Sequence, residues 1–407
     1  MEIRSWKRAG LTGVLAATVL SNVLVGCDCG GSGTGGGALR TPRFAVSDLG
    51  ANVTPFSINS AGDILAVQVD SSGNATYVVI QNGQPMPLGG NLQATSRIND
   101  NGQVVGDSSP DGTTFPGAIW MPGQYASPTI IGALPGDMVG QAIAINNGGT
   151  IVGDSAPTIT GFDSVSHTVT VPSARPTIWR PGDTAPTEVL SLPGTAPNGK
   201  VIGELTGINS QGLAVGDAEL QPTSPNQGKA RFEYFTVDTS AANPTAQDLN
   251  LAGFLGTAST NTAGLADISV FVNNNGVIVA GTSGASPGAV TVTERQPGGQ
   301  TATLNLGSLG GAVFPTGLND AGQVTLKVVD PTSGSPTLAA LYDPASGAAD
   351  LNTQIPSSSG LRLVSTTGIN NAGQIIGRAL LNGQSHGYVL TPTASKATNA
   401  PSSSGHR

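Results

Sequence analysis

Along the chain an aliphatic residue, an asparagine, two small or polar residues and a glycine recur as a unit, usually followed by a short aliphatic run. Seven copies stand at Ile58-Asn59 to Gly62, Ile98-Asn99 to Gly102, Ile145-Asn146 to Gly149, Ile208-Asn209 to Gly212, Val272-Asn273 to Gly276, Leu318-Asn319 to Gly322 and Ile369-Asn370 to Gly373. Asparagine at the first position of a type I turn bonds its side chain to the backbone two residues on, and glycine three positions later accepts the left-handed conformation of a bulge. The unit reads as strand, tight turn, strand. Its second strand carries Val104-Val105-Gly106, Ile151-Val152-Gly153, Ala214-Val215-Gly216, Ile278-Val279-Ala280 or Ile375-Ile376-Gly377. Adjacent aliphatics point to opposite faces, so this strand is covered on both. The glycine after them marks a close backbone approach or a bulge.

Successive asparagines lie 40, 47, 63, 64, 46 and 51 residues apart. Repeats of about 40–50 residues with four strands each are the signature of a β-propeller. A third strand is expected in each unit, for example over 118–121 and 177–179, and a fourth near the Leu-Pro-Gly or Leu-Gly-Gly endings, over 86–90, 130–136, 189–194, 249–253, 304–311 and 349–355. The seventh unit lacks a fourth strand, because a Ser/Thr/Pro/Ala tail follows Leu390. Arg43 to Gly50 looks like a fourth strand with no unit before it. The expectation is an all-β fold, a propeller of seven four-stranded blades in which the N-terminal strand closes the last blade and protects both sheet edges. An open solenoid is the rival architecture.

Composition agrees with this. The 407 residues include 58 Gly and 28 Pro, with only 10% charged and 4% aromatic, which is turn-dense and free of a convincing heptad pattern after residue 26. The formal net charge is −8, and residues 1–26, with Arg4, Lys7 and Arg8 against Glu2, contribute +2, which leaves −10 for the rest. An acidic, sparsely charged chain argues against nucleic acid as a partner.

At the N-terminus those basic residues precede an apolar stretch from Leu11 to Gly26, too short for a confident spanning helix. Residues 1–26 read as an export signal ending Leu24-Val25-Gly26-Cys27. This ending resembles the lipobox of bacterial lipoproteins, which implies that Cys27 carries a lipid and anchors the chain to a membrane outside the cytoplasm, in the periplasm or at the cell surface. An ordinary signal peptide is the alternative. Residues 27–42 read as a flexible glycine-rich tether, 43–391 as the propeller and 392–407 as a disordered tail. With only Cys27 and Cys29 in the chain there is no disulfide framework.

The repeat motifs resemble the bacterial extracellular HAF-repeat family, whose units carry an Ile-Asn-x-x-Gly-x-Val-Val-Gly core and a Leu-Gly-x-Leu-Gly-Gly ending. The core is matched at Ile98 to Gly106 and Ile369 to Gly377, and the ending at Leu306 to Gly311. The His-Ala-Phe element itself is degenerate, nearest at His386-Gly387-Tyr388. The resemblance implies exported propeller-like structure and no particular activity.

Candidate chemistry is sparse. Eight residues after each key asparagine stand Val67, Asp107, Asp154, Asp217, Gly281, Lys327 and Arg378. In a closed ring this sets an acidic arc opposite a basic one, on the face that receives the two inserts at 157–175 and 219–231, and Asp107, Asp154, Asp217, Lys327 and Arg378 are the candidate binding rim. The opposing reading is that charged residues merely end strands. Calcium would suit an acidic arc through its oxygen ligands; otherwise no cofactor and no metal centre is expected, since His167, His386 and His406 are far apart and support neither a metal cluster nor a Ser-His-Asp triad. Trp120 and Trp179 read as blade packing rather than a sugar platform. Ser109 to Phe115 is one residue short of the Asp-box turn of sialidase-like propellers and reads as a plain turn. The expected role is a monomeric binding or scaffold module for a protein or glycan of the cell envelope. A glycan-acting hydrolase or lyase using carboxylates at the propeller face, or a purely structural surface protein, are the alternatives.

Overall fold

The computed structural model describes residues 43–393 except 91, 158–160, 164–167, 171–173, 184, 194–201, 221–230, 255–269, 284–289, 308 and 331–334. Seven four-stranded antiparallel sheets form a ring. Blade 1 holds Val53–Ile58, Ile64–Val69, Ala75–Gln81 and Gln84–Pro87 in that order across the sheet. The other blades repeat it, starting from inner strands Leu92–Ile98, Val139–Ile145, Ile202–Ile208, Val270–Val272, Ala312–Leu318 and Arg362–Ile369. These first strands touch one another all the way round, which places them about the axis.

Blade 7 is completed from the other end of the chain. Phe44–Ala51 pairs antiparallel with Gln384–Pro392, with Phe44 opposite Pro392 and Asp48 opposite Tyr388. Phe44 is buried beside Leu341, Leu363 and Leu390, and His386 Nδ1 lies 2.9 Å from Asp48 Oδ2 across the pair. Only Asn52 separates this strand from blade 1. The seven-bladed ring closed by the N-terminal strand is as the repeat pattern predicts.

Each asparagine turn has the expected backbone: the amide of its glycine donates to the asparagine carbonyl at 3.0–3.1 Å, and the glycine φ lies between +75° and +88°. In five blades this glycine also backs onto a proline at or just past the end of the third strand, Pro122, Pro181, Pro297, Pro344 or Pro392. The glycine of the second strand answers to a close approach. A Cβ on Gly153, Gly216 or Gly377 would run into the carbonyl oxygen of Gln141, Glu204 or Ser365 on the inner strand. The inner strands bulge there, skipping one residue of register in six blades, as between Ala142 and Ala144.

Fourth strands differ from expectation in five blades. They end early, at Pro87, Gly132, Glu188, Thr303 and Asp350. The leucine or valine expected inside the strand instead dives between blades: Leu88, Val189, Leu304 and Leu351 are all buried in inter-blade clusters. The Leu-Gly ending is thus a plug after a short edge strand, because a buried leucine gains more from the interface than from extending an exposed edge. In the first long insert, Gly161–Asp163 pairs with Thr168–Thr170 as a small extra hairpin.

Replacing Gly153 with alanine should destabilise the ring by about 1–3 kcal/mol, the usual cost of overpacking, read as a lower urea midpoint with an unchanged slope. The exposed Gly73, whose Cβ would meet nothing within 4 Å but whose φ is +85°, should lose less on the same change.

Candidate functional site

The asparagine turns do more than turn. In all seven, Oδ1 accepts the backbone N–H four residues on, at 2.8–3.0 Å. Nδ2 of each donates to the backbone carbonyl of the asparagine in the next blade. Asn59 donates to Asn99, Asn99 to Asn146, Asn146 to Asn209, Asn209 to Asn273, Asn273 to Asn319, Asn319 to Asn370 and Asn370 back to Asn59, at 2.8–3.3 Å. The asparagines are 2–8% exposed, so this closed belt is shielded from water. The sequence pattern showed the turn but not the belt.

A second, outer collar stands on the residues that follow. Asp100 accepts the Ser60 amide and the Asn147 side chain, and Asp320 accepts the Asn274 amide and the side chains of Asn274 and Asn371. Asn101 and Asn275 donate to the carbonyls of Asn147 and Asp320. Partial burial opposes ionisation of Asp100, but the hydrogen bonds from Ser60 and Asn147 outweigh it and hold the carboxyl below its usual range. The turn face therefore presents carboxylates and amides fixed in direction around the ring, a surface suited to hydrogen-bonding hydroxyls or peptide groups.

The five charged residues expected on a rim lie elsewhere. Asp107, Asp154 and Asp217 are 1–2% exposed within second strands. Asp107 shares a strand face with Val105, which packs on Trp179 of blade 3. Asp154 shares one with Val152 against Leu205 and Phe235 of blade 4, and Asp217 one with Val215 against Val270 and Ile278 of blade 5. The three carboxylates thus occupy three successive interfaces and are not brought together. Burial first, and the Asp217 charge second, push the Tyr234 phenol well above its usual value, and its hydroxyl donates to the Gly281 carbonyl at 2.6 Å. Lys327 holds its ammonium 5.9 Å from the Phe314 ring centre in its own blade, and Arg378 donates to Ser385 Oγ. Burial lowers both cations, Lys327 to about 8.

Other sequence candidates resolve simply. Trp120 and Trp179 are 0% and 1% exposed, inside interfaces. Asp111 accepts the amides of Thr113 and Thr114 and the Thr114 hydroxyl, which hold its carboxyl at about 2 and make it a turn residue. Cys27 and the tether lie outside the described residues. Among the described residues no three His, Cys, Asp or Glu side chains converge as metal ligands, and no helix is long and apolar enough to cross a membrane. The depressed Lys327 gives a pH signature. Between about pH 8 and the ordinary lysine value of 10.5 the unfolded chain holds a proton that the native chain has released, so this residue's cost to folding falls as pH rises through that window. Lys327→Met should raise the melting temperature at pH 7, and the gain should shrink towards pH 10.5.

No family model matches the chain, and no curated protein matches it. Solved structures do resemble it. The β-propeller domain of the Trilobed protease from Pyrococcus furiosus, with an open velcro topology, aligns at a TM-score of 0.50 and 9% identity over 84% of this chain and 93% of that one. YCF48 bound to D1 peptide aligns at 0.45 and 12% over 89% and 99%, and virginiamycin B lyase from Staphylococcus aureus at 0.42 and 9% over 86% and 100%. At these identities the likeness concerns the fold, and the chain is a seven-bladed β-propeller.

Proposed function

We propose that this chain is a lipid-anchored extracytoplasmic propeller that acts as a binding or scaffold module for a protein or glycan of the cell envelope. The observation that carries the binding part is the placement of the acidic residues. A hydrolytic pair needs two carboxyl groups about 5–10 Å apart flanking an accessible bond, whereas Asp107, Asp154 and Asp217 are each sealed in a different interface. On the turn face the exposed Asp100, Asn101 and Asn275 and the half-buried Asp320 are oriented by bonds between blades. Fixed donors and acceptors on a rigid ring favour recognition.

The anchoring part rests on the sequence: Cys27 at the end of a lipobox-like segment, then a glycine-rich stretch leading to Arg43. Metabolic labelling with a palmitate analogue should mark the wild-type chain and not the Cys27→Ser variant; equal labelling of both removes the anchor. For the ligand, the purified chain is passed over immobilised envelope glycans. Retention without released product, weakened at least tenfold by Asp100→Asn with Asp320→Asn, is the expected result. Released product would favour a hydrolase or lyase, and passage without retention would sink the glycan form of the proposal.

A further inference from the structure

The outer collar on the turn face is built by one repeated bond, from the backbone N–H of the residue after each key asparagine to a side-chain oxygen at the same position in the next blade. Ser60 donates to Asp100, Asp100 to Asn147, Ser210 to Asn274, Asn274 to Asp320 and Asp320 to Asn371, at 2.7–2.9 Å. Every acceptor is the Oδ1 of a carboxylate or carboxamide. The remaining joints, blade 3 to blade 4 and blade 7 to blade 1, bring a serine to the accepting position, Ser210 and Ser60. A serine oxygen sits one bond nearer its own backbone, and the Ser60 hydroxyl bonds Asp100 on its other side. No described residue accepts from the N–H of Asn147 or Asn371.

A second bond is missing at the same two joints. Between blades 2 and 3, Asn101 Nδ2 donates to the Asn147 carbonyl at 2.9 Å, and between blades 5 and 6, Asn275 Nδ2 donates to the Asp320 carbonyl at 2.8 Å. At the open joints the corresponding residue is Gly148 or Ala372, which has no side-chain donor, and no described residue donates to the carbonyl of Ser210 or Ser60. Each open joint therefore presents one main-chain donor and one main-chain acceptor on exposed residues. The belt just beneath fixes their positions, through Asn146 to Asn209 at 3.1 Å and Asn370 to Asn59 at 2.8 Å. Groups already fixed in place cost a ligand little ordering when it meets them.

The filled joints show what the open ones accept. In all five the acceptor is the oxygen of a carboxylate or carboxamide. Asp100 and Asp320 already place carboxylates on the collar and the chain carries a formal net charge of −8, so a neutral carboxamide suits the gaps better than a further anion. At the two positions that follow each key asparagine no apolar side chain is larger than alanine, which leaves nothing to hold the apolar side chains of a peptide and much to hydrogen-bond hydroxyls. We propose that the joints Asn147–Ser210 and Asn371–Ser60 bind the acetamido group of N-acetylated sugars. The acetamido oxygen accepts from the free N–H, and the N–H or a hydroxyl of the same sugar donates to the free carbonyl. This rests on the glycan reading of the turn face and narrows it to one class of sugar.

Calorimetric titration of the purified full chain with triacetylchitotriose, cellotriose and N-acetyltriglycine amide tests it. Triacetylchitotriose should bind about tenfold or more tighter than cellotriose, which carries hydroxyls where the acetamido groups stand, and tighter than the peptide amide by a similar factor. Ser60→Asn with Ser210→Asn supplies the missing oxygens from the chain itself. This pair should weaken triacetylchitotriose by about tenfold or more without lowering the melting temperature, so that lost binding is not lost folding. Ser60→Ala with Ser210→Ala leaves both joints open and should bind within about threefold of the wild type. Equal binding of the two trisaccharides, or binding of neither while other envelope glycans are retained, would overturn the acetamido assignment and leave the glycan reading standing; loss of all glycan retention would take both. Equal or tighter binding of the peptide amide, or undiminished binding in the asparagine pair, would also overturn the assignment.

Discussion

The amide of one asparagine reaching the carbonyl of the next is the interaction on which the ring depends. Each asparagine is doubly committed: its oxygen holds its own turn and its nitrogen holds the neighbouring one. Folding one turn therefore prepares the acceptor for the blade before it, and local order becomes order around the axis. The net worth of one buried hydrogen bond is modest, about 0.5–1.5 kcal/mol, but leaving one partner buried and unmet costs more. A belt of such bonds penalises any arrangement that opens it, because an opening strands a donor and an acceptor together.

Closure adds a constraint that no single repeat contains. The bond from Asn370 to Asn59 joins the seventh turn to the first, and Thr367 Oγ1 donates to the Pro55 carbonyl across the same seam at 2.7 Å. At the perimeter the ring is closed by the strand Phe44–Ala51, whose Asp48 contacts His386 within blade 7, while Arg43 just before it contacts Asp343 of blade 6 at 3.3 Å. Inner belt and outer strand are far apart along the chain yet serve one joint. A ring with a weak outer strand still has its axis stitched, and a ring with a broken belt still has its last blade clamped.

What was legible in the sequence follows from which interactions are local. The turn, its glycine and the paired aliphatics are decided within a few residues, so the blade number is legible from Asn59 to Gly373 and the displaced strand from Arg43 to Gly50. The glycine of the second strand was legible as a close approach, since its partner is the adjacent inner strand. The position eight residues past each asparagine was different. Its periodicity was correct, but Asp107, Asp154 and Asp217 face the next blade, and a contact between blades has no signature within one repeat. Charge usually means exposure; here the neighbouring blade covers it. The prolines behind the turn glycines carry a readable signal, recurring at Pro122, Pro181, Pro297, Pro344 and Pro392 at or just past the end of the third strand in five blades, but their meaning needs the fold.

Unequal repeats then cease to be a puzzle. The asparagines are separated by as few as 40 and as many as 64 residues, yet their bonds stay within 2.8–3.3 Å. Extra residues in the third and fourth units enter between the second and third strands and between the fourth strand and the next blade, both at the end of the blade opposite the asparagine turn, because successive connections in an antiparallel sheet alternate between its two ends. Length added there does not reach the belt. The ring therefore separates its tasks by face: the stitched face must keep one geometry, and the opposite face is free to vary in length and composition. Groups whose direction must be fixed, such as Asp100 and Asp320, stand on the stitched face, while the loops of the far face are where length and composition can change.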